Sequence, residues 1–158
     1  MSRPLLLDLF CGAGGAAVGY HRAGFDVVGV DITPQPNYPF RFIQDDALGF
    51  LRWTGAGEYT AVHASPPCQR YSAMTKCRPE LAAAYPDLVA PTRQLLRAID
   101  LPYVIEIVPG SPLVDPITLR NLEVIEAADG GKEIVGAKGA WSFAPGTRIV
   151  DVVKDVVR

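Results

Sequence analysis

The chain has 158 residues, a net charge of −2 and a pI near 5.6, with 49% hydrophobic and 20% charged residues, about one domain able to bury ~70% of its unfolded surface. No apolar run approaches the ~20 residues of a membrane-crossing helix, and the start, Met-Ser-Arg-Pro before Leu5, Leu6, Leu7 and Asp8, carries too short an apolar stretch for a secretory leader. A cytoplasmic chain without membrane contact is expected, and its mildly acidic balance, unlike the basic face of a self-sufficient nucleic-acid binder, would grip DNA weakly by itself.

Residues 4–9 are an apolar run of strand length, followed by Gly12, Gly14 and Gly15 and by a helix-like stretch over 16–23 closed by Gly24. Residues 26–30 read as a second buried strand ending at Asp31, residues 40–43 as a third, 46–53 as a helix and 60–64 as a fourth strand. A loop rich in proline and cations comes next. Residues 87–99 then carry Leu88, Leu95, Leu96 and Ile99 at helical spacing, with Pro91 tolerable in the first turn. Residues 103–108 make a fifth strand. Beyond it lie an apolar stretch around Val124 and Ile125, a Gly130-Gly131 turn, Ile134-Val135, and an ending over 149–158 whose apolar spacing is helical while its valines favour strand. No repeat or low-complexity tract interrupts the chain, and Pro34 and Pro36 mark a loop, so one domain over 1–158 is expected.

Strands alternating with helices predict a mostly parallel α/β sheet covered on both faces, with ligands beyond the carboxyl ends of the strands. Asp8 to Gly15, Asp31, Asp46, Ser65 to Gln69 and Glu106 all fall at or just past such ends, so one crevice can collect them. Cys68 follows two prolines and a strand, and Arg70, Lys76 and Arg78 lie near it with no carboxylate between Cys68 and Pro79. That setting suits a reactive thiolate, although a free cysteine is as often a small buried hydrophobe. Asp31 is placed to accept hydrogen bonds from ribose hydroxyls, or to serve as a turn residue before Thr33-Pro34; Asp45 and Asp46 read equally as a helix cap. Cys11, Cys68 and Cys77 are odd in number without Cys-x-x-Cys spacing, and His21 and His63 fit no ligand pattern, so neither disulfides nor a metal site is expected. Cys77 has no motif around it, and Trp53, Tyr71 and Met74 read as packing residues.

Three segments carry a resemblance: Asp8-Leu-Phe-Cys-Gly-Ala-Gly-Gly15, Ser65-Pro-Pro-Cys-Gln69 and Tyr103-Val-Ile-Glu106 are similar in order and spacing to signature motifs of the DNA cytosine-5 methyltransferases. The likeness runs over residues 4–119 and is closest in flavour to compact phage-type enzymes, with Leu113, Asp115-Pro116 and Thr118-Leu119 also fitting. It implies a three-layer Rossmann-like methyltransferase fold and S-adenosylmethionine as cofactor, with S-adenosylhomocysteine as product. Asp8, Phe10, Gly12, Gly14, Gly15, Asp31, Ile32, Asp46, Ala47, Ser65 and Pro67 would line the cofactor site, the glycine turn holding the methionine part, Asp31 the ribose and Asp46 the adenine. Cys68 would be the nucleophile that adds to C6 of a cytosine, and Glu106 the carboxyl group near its N3 and exocyclic amine. Gln69, Arg70 and Ser72 would meet phosphate or the flipped nucleotide, unless they are ordinary polar loop residues. DNA is the implied partner, in a bacterial or phage-infected cell.

Departures from the family accompany the matches. Ile107 stands where the family has an asparagine that braces the cysteine loop, and Asp45 where glycine is commoner. Past Leu119 the paired arginines, the target-recognition part and the closing motif of the cofactor pocket have no visible counterpart, which leaves 120–158 as a divergent capping segment and leaves room for a second chain to supply recognition. A catalytically impaired, cofactor-binding relative is therefore the alternative to an active enzyme, and a methyltransferase of the same fold acting on RNA or a small molecule is a third reading.

Overall fold

The computed structural model describes residues 2–55, 57–72, 75, 77–99, 101–107 and 111, with Pro79 and Leu81 by backbone alone, together with the backbone of the strands at 117–119, 123–126, 132–135 and 139–143. The apolar runs rich in Leu, Val and Ile form β1 Leu5–Leu9, β2 Asp26–Asp31, β3 Arg41–Gln44, β4 Ala61–Ala64 and β5 Tyr103–Ile107. They alternate with α1 Gly15–Arg22, α2 Ala47–Thr54, α3 Pro79–Ala84 and α4 Val89–Ala98. Later in the chain come β6 Ile117–Leu119, β7 Glu123–Glu126, β8 Lys132–Val135 and β9 Gly139–Phe143.

The larger sheet has the order β3-β2-β1-β4-β5-β9-β6. Strands β1 to β5 run parallel, and β9 is antiparallel to both β5 and β6. β7 and β8 form a separate antiparallel pair. From β1 the chain first builds outward through β2 and β3, then returns to the other side of β1 for β4 and β5, so the order reverses at the β1/β4 boundary. Such a reversal opens a crevice at the carboxyl ends of the strands.

Alternation along the strands separates two cores. Leu7 and Leu9 of β1, Val30, Val62, Ala64, Tyr103 and Ile105 pack with Ala47 and Leu51 of α2 and Leu96 of α4 on one face. Leu6 and Val27 pack with Ala17 and Tyr20 of α1 and with Tyr38 on the other. The expected three-layer, mostly parallel α/β arrangement is the one observed.

Differences from the sequence expectation have local causes. The stretch read as loop after Cys68 contains α3, which starts on Pro79 at the first turn, where a missing amide costs no intrahelical bond. β9 was not anticipated, and it pairs with β5 through contacts distant in sequence. Trp53, expected to pack, is 90% exposed, because α2 buries Ala47, Leu48 and Leu51 and position 53 comes round to the opposite side. The Gly130-Gly131 turn, Leu113, Asp115-Pro116, Met74, Lys76 and the ending over 149–158 lie outside the described residues.

One close approach organises the α1 face. Tyr38 packs against Gly29 of β2 and donates its hydroxyl to Asp8 Oδ2 at 3.1 Å, and a side chain at Gly29, whose register partner is Asp8, would collide with the hydroxyl end of the tyrosine ring. A side chain at Gly14 would meet Pro39 Cδ at 2.8 Å and the same ring at 3.0 Å, at a φ of +89°. Gly29→Ala is expected to lower unfolding stability by about 1–3 kcal/mol through overpacking. Urea denaturation of both single variants and of Gly29→Ala with Tyr38→Ala checks the cause, since Gly29→Ala should cost little when added to Tyr38→Ala.

Candidate active site

The first wall of the crevice is the turn after β1. Phe10 adopts φ 56°, rare for a bulky residue, and Gly12 follows at 50°; strained backbone of this kind concentrates at functional sites. The turn is held from β2, because Cys11 N–H donates to Val30 O at 3.2 Å and Gly12 N–H donates to Asp31 Oδ2 at 3.0 Å. Thr33 N–H donates to Asp31 Oδ1 at 2.9 Å. Asp31 thus acts as a turn residue while each of its oxygens keeps a further lone pair for an outside donor. Beside it Ile32 is 68% exposed, an apolar surface at the rim. Asp46 is the cap of α2, accepting from Gly49 N–H at 2.6 Å, and Ala47 is buried beneath it. Cys11 is pushed up to about 12 by burial and then by Asp8 and Asp31, which keeps it a thiol.

The second wall is the loop after β4. Ser65 N–H donates to Leu9 O at 3.1 Å, tying the loop to the end of β1. Pro66 is buried and Pro67 and Cys68 are half-buried, and Cys68 opens a 3-10 turn over Gln69–Tyr71 with Tyr71 N–H donating to Cys68 O at 2.9 Å. Thr75 stands under that turn, its hydroxyl 2.7 Å from Gln69 O. Arg70 turns its Nη1 towards the carbonyls of Ala82 and Tyr85, at 3.4 and 3.2 Å, and so closes the end of α3. Of the three residues expected to face a nucleotide, Gln69 is exposed and Ser72 half-buried, with the Ser72 hydroxyl 3.1 Å from Thr75 Oγ1.

Beneath the crevice, on the α1 face, three polar side chains stand at neighbouring positions of β1, β4 and β5. Asp8 is 1% exposed and His63 0%, and they are register partners. Glu106, on the same face of β5, is 41% exposed. Tyr20 of α1 places its hydroxyl 3.0 Å from His63 Nδ1; His63 Nε2 is 2.8 Å from Ser65 Oγ, and Ser65 Oγ donates to Glu106 Oε2 at 3.4 Å. The strand ends therefore bring Ser65, Cys68 and Glu106 to one side of the switch and Phe10 to Gly15 with Asp31 to the other. Asp8 is placed below this surface, behind Tyr38. Reading for metal ligands passes over Tyr20, Tyr38 and His63; the available signal is the two-residue spacing of His63 and Ser65 at a strand end.

No family model matches the chain. A 91-residue alignment gives 34% identity to the type II methyltransferase M.XorII of Xanthomonas oryzae pv. oryzae, covering 48% of this chain and 22% of that protein. Over that stretch the chain is similar to a type II methyltransferase. Its matched part amounts to less than a quarter of that relative's length. Among solved structures, a prophage protein of E. coli named as a DNA modification methyltransferase superposes with a TM-score of 0.52 at 21% identity, over 89% of this chain and 45% of that one. The Entamoeba histolytica methyltransferase EhMeth gives 0.52 at 14% identity, over 94% and 54%. These likenesses show the shared Rossmann-like methyltransferase fold. Among the described residues no helix is long and apolar enough to cross a membrane, and no cluster of three His, Cys, Asp or Glu is placed for a metal ion.

The buried pair beneath the site carries opposite pH dependences. Burial raises the Asp8 carboxyl from 3.8 to about 7, against the Tyr38 hydrogen bond and with help from Glu106 and Asp31. Burial lowers His63 from 6.5 to about 4. The native chain keeps a proton on Asp8 that the unfolded chain has lost, so this stabilisation is complete below 3.8 and is lost as pH rises through 7. Conversely, the unfolded chain protonates His63 below 6.5 while the native ring stays neutral to about 4, so stability falls as pH falls through that window. The two effects oppose each other in the acid range, and Asp8 alone acts between about pH 6.5 and about pH 8. Asp8→Asn should abolish the loss of stability above neutrality and leave a chain that grows more stable as pH rises from about 4 to about 6.5. Urea midpoints from about pH 4 to about pH 8 read the outcome; an unchanged pH dependence between about 6.5 and about 8 would mean that Asp8 is already ionised in the native chain.

Proposed function

We propose that the chain is the catalytic part of a DNA cytosine-5 methyltransferase that uses S-adenosylmethionine. The observation that carries this reading is the Ser65–Glu106 hydrogen bond, which joins the base of the Pro-Cys loop to the carboxylate strand beside the glycine turn. The residues of the first wall fit the cofactor: the open space beside Gly12 and Gly15 leaves room for close approach, Asp31 has lone pairs for two ribose hydroxyls, and exposed Ile32 offers an apolar surface to a flat ring. S-adenosylmethionine, when bound, supplies an electrophilic sulfonium methyl group.

The chain's own residues do the rest. The Cys68 thiolate forms a bond to C6 of a cytosine that has left the duplex stack, and electron density moves to C5. A proton shared between Glu106 and N3, with the exocyclic amine donating to the same carboxyl group, holds the ring while charge develops there. Once C5 carries the methyl group, a base takes the C5 proton, the C5–H electron pair re-forms the C5–C6 double bond, and the C6–S bond breaks with its electrons to return Cys68 as thiolate. Pro66 and Pro67 stiffen the loop that aims the sulfur, so geometry is set before the base arrives. DNA is the partner in this reading, with recognition of the target supplied from outside the described residues or by another chain, and the compartment is the cytoplasm.

One observation favours a second reading. Ile107 is buried and apolar, so position 107 lends no hydrogen bond to the cysteine loop, and a chain that binds cofactor without turnover would be consistent with it. Incubation with DNA in which cytosine is replaced by 5-fluorocytosine, plus cofactor, separates the two. The first reading expects a covalent adduct that Cys68→Ser abolishes; cofactor binding without any adduct supports the second. Calorimetric titration with S-adenosylhomocysteine should find Asp31→Ala weaker by about 10–100-fold, the loss of charge-assisted hydrogen bonds worth ~1.5–3 kcal/mol.

A further inference from the structure

We propose that His63 and Ser65 are positioning residues for Glu106, forming with Tyr20 a hydrogen-bond chain of fixed direction that pins Oε2 and leaves Oε1 for the substrate base. The role rests on the reading of Glu106 given above; the hydrogen-bond chain stands whether or not Glu106 meets a base. Its length is unusual for one site: Tyr20 lies in α1, His63 on β4, Ser65 at the loop and Glu106 on β5, with separations of 43 and 41 residues along the sequence at its two ends.

Direction follows from proton counting. Ser65 has a single hydroxyl proton, and it lies on the bond to Glu106 Oε2 at 3.4 Å. His63 Nε2, at 2.8 Å from the same oxygen, must then be the donor, so the ring carries its proton on Nε2. Nδ1 is left as an acceptor, and the Tyr20 hydroxyl at 3.0 Å is the donor to it. Every donor therefore points outward, from the core to the carboxylate. The opposite tautomer would turn the Ser65 proton back to His63 and set lone pairs against Glu106 Oε2, which also stands 3.9 Å from Nε2. Burial keeps the imidazole neutral down to about pH 4, so the tautomer, not a charge, transmits the direction.

The framework around the chain is stiff. His63 is held between β1 and β5 by register with Asp8 and Val104, its ring centroid is 5.2 Å from that of Tyr20, and the Ser65 backbone is anchored to Leu9 O. Position 107 cannot supply an equivalent hold, since Ile107 is apolar and belongs to the opposite face of β5 from Glu106.

Long-range proton–nitrogen NMR on the full chain reads the tautomer without any need for activity. A neutral Nε2–H ring at neutral pH is expected, and an Nδ1–H ring would overturn the proposal. With 5-fluorocytosine DNA and saturating cofactor, Ser65→Ala should slow adduct formation about tenfold, and Ser65→Thr, which keeps the hydroxyl, should restore most of the rate; equal rates for Ser65→Ala and the parent would overturn it. Tyr20→Phe, a milder change, should mix the two His63 tautomers, and an unmixed ring would remove Tyr20 from the chain. If the parent forms no adduct, the catalytic reading fails by itself, and the carboxyl carbon resonance of Glu106 then decides the pinning: a shift on Ser65→Ala supports it, and an unmoved resonance overturns it.

Discussion

β1 has a parallel partner on each side, β2 and β4, and a packed core on each face, so the strand on which the chain reverses its build-up is shut off from water along its length. A parallel sheet buried in this way satisfies its backbone within the ladder, and polar groups that must meet a ligand can do so only past the carboxyl ends. Phe10 to Gly15, Asp31, Ser65 to Cys68 and Glu106 obey that constraint. Their convergence follows from strand order, and the two walls of the crevice are two sides of one switch point.

The two faces of the sheet are used differently. The α2/α4 face is apolar throughout the described residues of its core except for Thr92, whose hydroxyl donates to Leu88 O at the start of its own helix, and Ile107 continues the row begun by Tyr103 and Ile105. The α1 face instead carries Asp8, His63 and Glu106 at neighbouring positions. Buried polar groups are costly unless hydrogen-bonded, and here aromatic hydroxyls reaching in from outside the sheet offset part of the cost, Tyr38 at Asp8 Oδ2 and Tyr20 at His63, while Asp8 Oδ1 has no hydrogen-bond partner among the described residues. Gly29 and Gly14 leave the room that Tyr38 occupies. The polar layer thus lies directly beneath the crevice, where its protons bear on Glu106.

Arg70 and Asp46 show how a motif residue can serve the scaffold at the same time as, or instead of, a ligand. Arg70 closes the end of α3 over the Cys68 loop, and Asp46 caps α2. Asp31 combines both tasks, since its hydrogen bonds to Gly12 and Thr33 fix the carboxylate in place without exhausting its acceptors. For Asp46 the capping alternative weighed from the sequence is realised, and its relation to an adenine ring belongs to the proposal.

The features legible in the chain are local: the five strands from their apolar runs, the tight turn from Gly12 and Gly14, the stiff cysteine loop from Pro66 and Pro67, and the helices from their spacing. Each of these depends on backbone preferences and burial within about ten neighbouring residues. Tertiary structure alone decided the exposure of Trp53, the insertion of Tyr38 over Gly29, the pairing of β9 with β5 and the line from Tyr20 through His63 and Ser65 to Glu106. These depend on which strands become neighbours and in what register, and a hydrogen bond between residues 41 positions apart leaves no periodic trace in the chain that makes it.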